Sequence, residues 1–128
     1  MKTRSVIRGV GAYLPSKVLS NDDLSKTVDT TDEWIKQRPG IARRHTAAPG
    51  ELPSDLACAA ARRAMQNAGI SAEDVDLVIL ATTTPDNTFP ATATRVQAKL
   101  GIRSGAAFDI QAVCTGFVYA LTQADNMI

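Results

Sequence analysis

The stretch DLVILATT at residues 76–83 constrains the fold more than any other part of the chain. It is a continuous apolar run rather than an alternation of apolar and polar residues. That is the pattern of a strand buried on both faces, as in a parallel sheet covered by helices. The flanking segments supply the helices. PSDLACAAARRAMQNAGI, 53–70, places Ser54 as an N-cap and Gly69 as the residue past the C-cap. Leu56, Ala60, Ala64 and Ala68 share one face with Ala57, Ala61 and Met65, which predicts a helix packed closely through small residues. On the other side, Pro90 opens and Gly101 closes ATATRVQAKL, with Ala93, Val96 and Leu100 facing inward. AAFDI, 106–110, reads as a further strand, and RSVIRGVGAYL, 4–14, as the first. Strand, helix, strand, helix, strand is the order of an α/β fold with parallel pairing.

Between the first strand and the 53–70 helix lies a long excursion, and such excursions from a compact α/β unit often carry function. Within it, TTDEWIKQR, 30–38, predicts a short helix. Thr30 and Glu33 have the spacing of a capping box. Asp32 and Glu33 suit the positive end of the helix, and Lys36 and Arg38 suit the negative end. The last segment, TGFVYALTQADNMI, is helical in pattern but runs to Ile128 with no C-cap or following strand. The expectation is a fragment of a larger fold.

Composition bounds the function classes. The 128 residues are 45% hydrophobic and 21% charged, which fits one soluble globular domain or part of one. With 14 basic and 13 acidic residues the net charge is +1, so no general field draws nucleic acid or an anionic membrane. MKTRSVIRGVG lacks the apolar core of a secretory signal, and no run approaches a membrane span, so a cytoplasmic location is expected. In that compartment Cys58 and Cys114 are not expected to form a disulfide, and a single His without a CxxC leaves no zinc constellation.

The residues able to do chemistry are few. Cys114 lies in FDIQAVCTGFVYA, just beyond the third strand and just before the last helix. Ligands collect at the carboxyl ends of strands in open α/β sheets. A thiol at a helix N-terminus meets unpaired N–H groups and the positive dipole end, which favour the thiolate. The same N–H groups suit an oxyanion on a thioester carbonyl, and Gly116 would let a substrate or a second backbone come close. The competing reading is an inert thiol buried between Val113 and Phe117. Cys58, inside the Ala-rich helix, takes that bland reading.

Trp34, the sole tryptophan, sits on the short polar helix, where it suits stacking on a base with Arg38 one turn away to pair a phosphate; it suits equally the cap of a small satellite core. Arg43, Arg44 and His45 form a basic cluster that reads as a solvated loop, with His45 a weak candidate for a base acting on Cys114. GVGAYL, 9–14, starts like a dinucleotide fingerprint but has Leu14 where the third Gly belongs, and that reading is rejected. In TTTPDNTFP, 82–90, Phe89 is either a loop-tip contact for a substrate tunnel or subunit, or a staple over the helix that follows.

Taken together, DTTDEWIKQRPGIARRH, ILATTTPDNTFP and FDIQAVCTGF resemble the beta-ketoacyl-acyl carrier protein synthase III family, thiolase-fold enzymes that begin type II fatty acid synthesis. The resemblance covers essentially the whole chain. It implies a thiolase-like α/β fold, residues 1–128 forming the N-terminal half-domain of a duplicated α/β/α/β/α architecture. It implies further that Cys114 accepts an acyl group from acyl-coenzyme A and that the acyl-enzyme condenses with malonyl-acyl carrier protein, releasing carbon dioxide. Trp34 would then stack on the coenzyme A adenine, Thr30 and Arg38 would contact the nucleotide portion, and Phe89 would reach across a homodimer into the partner's acyl pocket. Acyl-coenzyme A is a substrate in this scheme, and no further cofactor or metal is called for.

The family's catalytic His and Asn belong to its second half, and His45 matches neither. Val113 and Thr115 stand where many members carry small residues, which leaves the acyl preference open. Two other readings fit the same residues: a related priming enzyme of polyketide metabolism, and a truncated half-fold that binds coenzyme A without catalysis.

Overall fold

The computed structural model describes residues 5–128. They form two compact units, one of residues 14–51 and one of residues 5–13 with 52–128.

The 14–51 unit begins with strand β1, Lys17–Ser20, which runs directly into helix α1, Asn21–Ser25. Ser20 ends the strand and caps the helix, its hydroxyl accepting the Asp23 N–H at 3.0 Å. Helix α2, Asp32–Gln37, follows, and its N-cap is Thr31, whose Oγ1 accepts the Trp34 N–H at 3.1 Å. The Thr30–Glu33 spacing places the cap one residue earlier, at Thr30. The neighbouring Thr31 wins because it has the extended backbone of a cap and an oxygen three residues from an unpaired helical N–H. Strand β2, Arg43–Thr46, closes the unit by pairing antiparallel with β1, Val18 opposite His45. The expected solvated loop at Arg43, Arg44 and His45 is therefore a strand. His45 is tied by its Nδ1–H, which donates to the Pro15 carbonyl at 2.6 Å. Pro15, Asn21 and Ile35 are the buried residues of this unit.

The second unit carries the α/β core. Helix α3, Pro53–Ala68, ends on Gly69 in the left-handed conformation, as its sequence required. Its start differs from expectation, because Leu52 and not Ser54 is the N-cap. Leucine has no acceptor, and the Ser54 N–H is instead taken by Asp86 Oδ1 at 2.9 Å. After α3 come strand β3, Leu77–Ala81, helix α4, Thr92–Leu100, strand β4, Ala106–Ile110, a 3-10 turn at Val113–Thr115 and helix α5, Gly116–Asn126. Strands β3 and β4 pair in parallel, Ile79 opposite Phe108. Helix α4 packs on both strands and on α3, and α5 packs on β3. Cys58, Ala93, Val96 and Ile102 are buried, with Ser54 and Thr92 among them.

Helix α4 starts two residues past the proline expected to open it. Its first N–H groups, from Thr92 and Ala93, are both accepted by the Asp109 carboxylate of β4 at 2.7 Å. One side chain thus caps the helix and locks it to the neighbouring strand. The expected first strand does not appear. Arg4 lies outside the described residues, and residues 5–14 are joined to no strand ladder. Residues 5–13 lie instead against α3, where the Val10 N–H donates to Asn67 Oδ1 at 3.0 Å and Arg63 donates to the Ala12 carbonyl at 2.5 Å. A side chain at Gly11 would collide with the Ala60 carbonyl oxygen and the Ala64 N–H, so only glycine permits this contact. Among the described residues no helix is long and apolar enough to cross a membrane.

Candidate active site

Cys114 sits where its sequence placed it, past the end of β4 and before α5, and it is exposed. Cys58 is also a free thiol but is 2% exposed, and burial pushes its pKa up. Of the two, Cys114 is thus open to solvent and Cys58 is buried in the core. The turn that presents Cys114 is held by Thr115, whose N–H and hydroxyl both donate to the Ala112 carbonyl, at 3.0 and 2.7 Å. Val113, just before the cysteine, has φ +47°. A β-branched residue in the left-handed region stores about 1–3 kcal/mol of strain, and such strain collects where a side chain must be aimed. Nothing in the sequence signalled it.

Gly116 opens α5 against the end of β3, where a Cβ would lie 3.0 Å from that of Ala81. Its smallness serves the packing of this helix on the strand. Beside that contact an apolar groove runs along β3 and α5, lined by Ile79, Ala81, Val113, Phe117 and Ala120. Phe117 is 71% exposed, and Val118 and Tyr119 on the same helix are exposed as well.

In the same unit, the 82–91 loop carries Phe89, which is 87% exposed and so does not staple α4. The loop is anchored by Asp86, whose side chain is closed to solvent. Besides capping α3, Asp86 faces Arg95 Nη1 at 3.4 Å and donates its own N–H to Thr92 Oγ1 at 2.9 Å. Burial alone would raise the Asp86 pKa, but hydrogen bonds from Ser54 and the charges of Arg95 and Lys99 outweigh it and hold the group below the usual carboxylate range.

The other candidates lie together in the 14–51 unit. Trp34 is half exposed on α2, and the Arg38 guanidinium lies 4.6 Å over its ring centroid. Thr30 and Thr31 line a cleft with Asp29 and Trp34. The Thr30 hydroxyl oxygen is shielded from solvent yet bonds to no protein atom, an acceptor and donor left over in a cleft wall. Beneath α2, Asn21 is 1% exposed and makes three side-chain hydrogen bonds, with Asp32, Ile41 and Arg44. Sequence reasoning missed Asn21, Asp86 and Asp109, whose side-chain partners are 9 to 32 positions away.

No family model matches the chain. Among curated proteins it is 66% identical, over all 128 residues, to beta-ketoacyl-acyl-carrier-protein synthase III of Rhodospirillum centenum, of whose length it spans 40%. The solved structure of 3-oxoacyl-acyl-carrier-protein synthase III from Aquifex aeolicus superimposes with a TM-score of 0.90 at 50% identity, over 94% of this chain and 39% of that one. The priming beta-ketosynthase of the R1128 polyketide biosynthetic pathway gives the same TM-score at 35% identity, over 95% of this chain and 36% of its own. The expected thiolase-like α/β fold is thereby borne out. In sequence as in fold, these 128 residues are similar to beta-ketoacyl-acyl carrier protein synthase III enzymes, spanning about 40% of the length of the relatives they match.

Proposed function

We propose that the chain is the N-terminal portion of a beta-ketoacyl-acyl carrier protein synthase III and that Cys114 is its acyl-accepting nucleophile. The observation that carries this reading is an exposed thiol on a strained turn between the end of β4 and the start of α5. The Cys114 sulfur attacks the thioester carbonyl of acyl-coenzyme A. A carbon–sulfur bond forms to the enzyme, and the coenzyme A thiolate leaves. In the second half-reaction, loss of carbon dioxide from malonyl-acyl carrier protein yields a carbanion that attacks the acyl carbon and releases the Cys114 sulfur. The His and Asn that promote decarboxylation in the family lie outside these residues.

Trp34, Thr30 and Arg38 form the coenzyme A platform in this reading. A half-exposed indole offers a stacking face, the unsatisfied Thr30 hydroxyl offers a hydrogen bond, and Arg38 offers charge to a phosphate. Phe89, exposed at its loop tip, supports a role in the acyl pocket of a partner subunit, and the bare apolar face of α5 supports cover by further protein. The enzyme is accordingly a cytoplasmic homodimer, with residues 1–128 as one half-domain of each subunit.

Incubating the full-length protein with acetyl-coenzyme A should place one acetyl group on the Cys114 peptide, read by mass spectrometry, and Cys114→Ser should lose the thioester adduct. A thioester on another residue would refute the assignment. The likeness to a polyketide priming enzyme favours a second reading, in which the same chemistry serves a different carrier protein. A panel of carrier proteins separates the two, with preference for the fatty acid carrier expected.

A further inference from the structure

We propose that Asn21 is a positioning residue for the coenzyme A platform, an inference that rests on the reading of Trp34, Thr30 and Arg38 given above. Helix α2 has six residues, too few to hold its place by helical propensity alone. Two buried groups fix it. Ile35 turns inward as an apolar anchor, and Asn21 supplies the polar one. The Asn21 amide donates to Asp32 Oδ1, on the first residue of α2, at 2.9 Å and to the Ile41 carbonyl, beyond its end, at 2.8 Å. Its oxygen accepts from Arg44 Nη2 on β2 at 2.9 Å. Three of the side chain's four hydrogen-bonding positions, both donors among them, are therefore spent on joining both ends of α2 to the strand behind it. Trp34 and Arg38 stand on the open side of the same short segment. Asn21 touches neither and acts by holding the helix that carries them.

Asparagine is required because the site needs donors and an acceptor at once. In Asn21→Asp the shape is kept, but the new carboxylate faces two acceptors, Asp32 and the Ile41 carbonyl, and repels the first. Pairing it with Asp32→Asn restores a donor across that contact with the polarity reversed, while Arg44 still donates to position 21.

The test measures steady-state kinetics of the full-length enzyme with acetyl-coenzyme A. Asn21→Asp should raise KM for acetyl-coenzyme A about tenfold with kcat within twofold, since lost ground-state binding appears in KM alone. The double variant should recover most of that loss. General loss of fold would instead lower kcat and would not follow donor–acceptor reversal. If Asn21→Asp does not accumulate as folded protein, Asn21→Ser, which retains one donor, should give the same split. The proposal is overturned if Trp34→Ala raises KM while both position-21 variants leave it within twofold of wild type. If Trp34→Ala itself leaves KM unchanged, the platform reading fails and the role of Asn21 fails with it.

Discussion

Asp86 is a cap delivered from outside the helix it serves, and its removal should show that most of the 82–91 loop hangs on one carboxylate. The first unpaired donor of α3 is the Ser54 N–H, because Pro53 has none, and Ser54 is fully buried. In Asp86→Ala that N–H loses its acceptor where water cannot replace it, a cost of about 1–3 kcal/mol. The Arg95 contact is long, at 3.4 Å, and Arg95 is 39% exposed on its side chain, so its loss adds under about 1 kcal/mol. The expected total is about 1–4 kcal/mol. Asp86→Asn keeps an oxygen for Ser54 but loses the charge at the helix start and the acceptor facing Arg95, about 1–2 kcal/mol together. The carboxylate's folded pKa lies below its unfolded value of 3.8, so its contribution is complete above that value and is lost as pH falls through the folded one. Urea unfolding of the full-length protein by circular dichroism at pH 7 should therefore separate wild type from Asp86→Asn, and the gap should shrink as pH falls below about 4. A cost below about 0.5 kcal/mol for Asp86→Ala, or a gap indifferent to pH over that range, would refute the reasoning.

The shifted cap of α2 gives a paired prediction. Thr31→Ala should cost about 1 kcal/mol, whereas Thr30→Ala, whose hydroxyl bonds to no protein atom, should cost under about 0.5 kcal/mol in the same unfolding assay; the reverse order would return the cap to Thr30. Gly11→Ala should be far more damaging, at about 3 kcal/mol or more, because the atoms it meets are the backbone of α3 and cannot swing aside; Gly50→Ala, strained at φ +81° but facing open space, should cost only about 1 kcal/mol, and equal losses would argue against the close approach.

The difference between what the sequence predicts and what forms lies in the range of the physical signal. Strands β3 and β4 and the ends of α3 and α4 on glycine are read correctly because each signal is local: an apolar run, or a residue tolerant of positive φ just past a helical period. Residues 5–14 carry the same strand-like composition, yet a strand exists only with a partner, and here the segment gives its polar groups to Asn67 and Arg63. At β2 the error runs the other way. RRHT has no apolar alternation, and its pairing with β1 is invisible without knowing that Pro15 and His45 meet.

The candidate site divides along the same line. Cys114 is legible because a strand end before a helix is a place, and Trp34 with Arg38 because they sit one helical turn apart. What holds those residues is not legible, since Asp86, Asp109 and Asn21 act on backbone far away in sequence, and no spacing rule marks them. Their importance follows from a physical requirement that appears only once they are buried. A polar side chain removed from water is costly unless it finds hydrogen-bond partners, so each of the three, once buried, fixes the distances among the elements it joins. Chemistry-bearing residues can stay recognisable at the surface of such a fold because their placement is enforced from beneath by polar residues of ordinary type. A substitution there would leave every recognisable motif intact while moving the side chains the motifs contain.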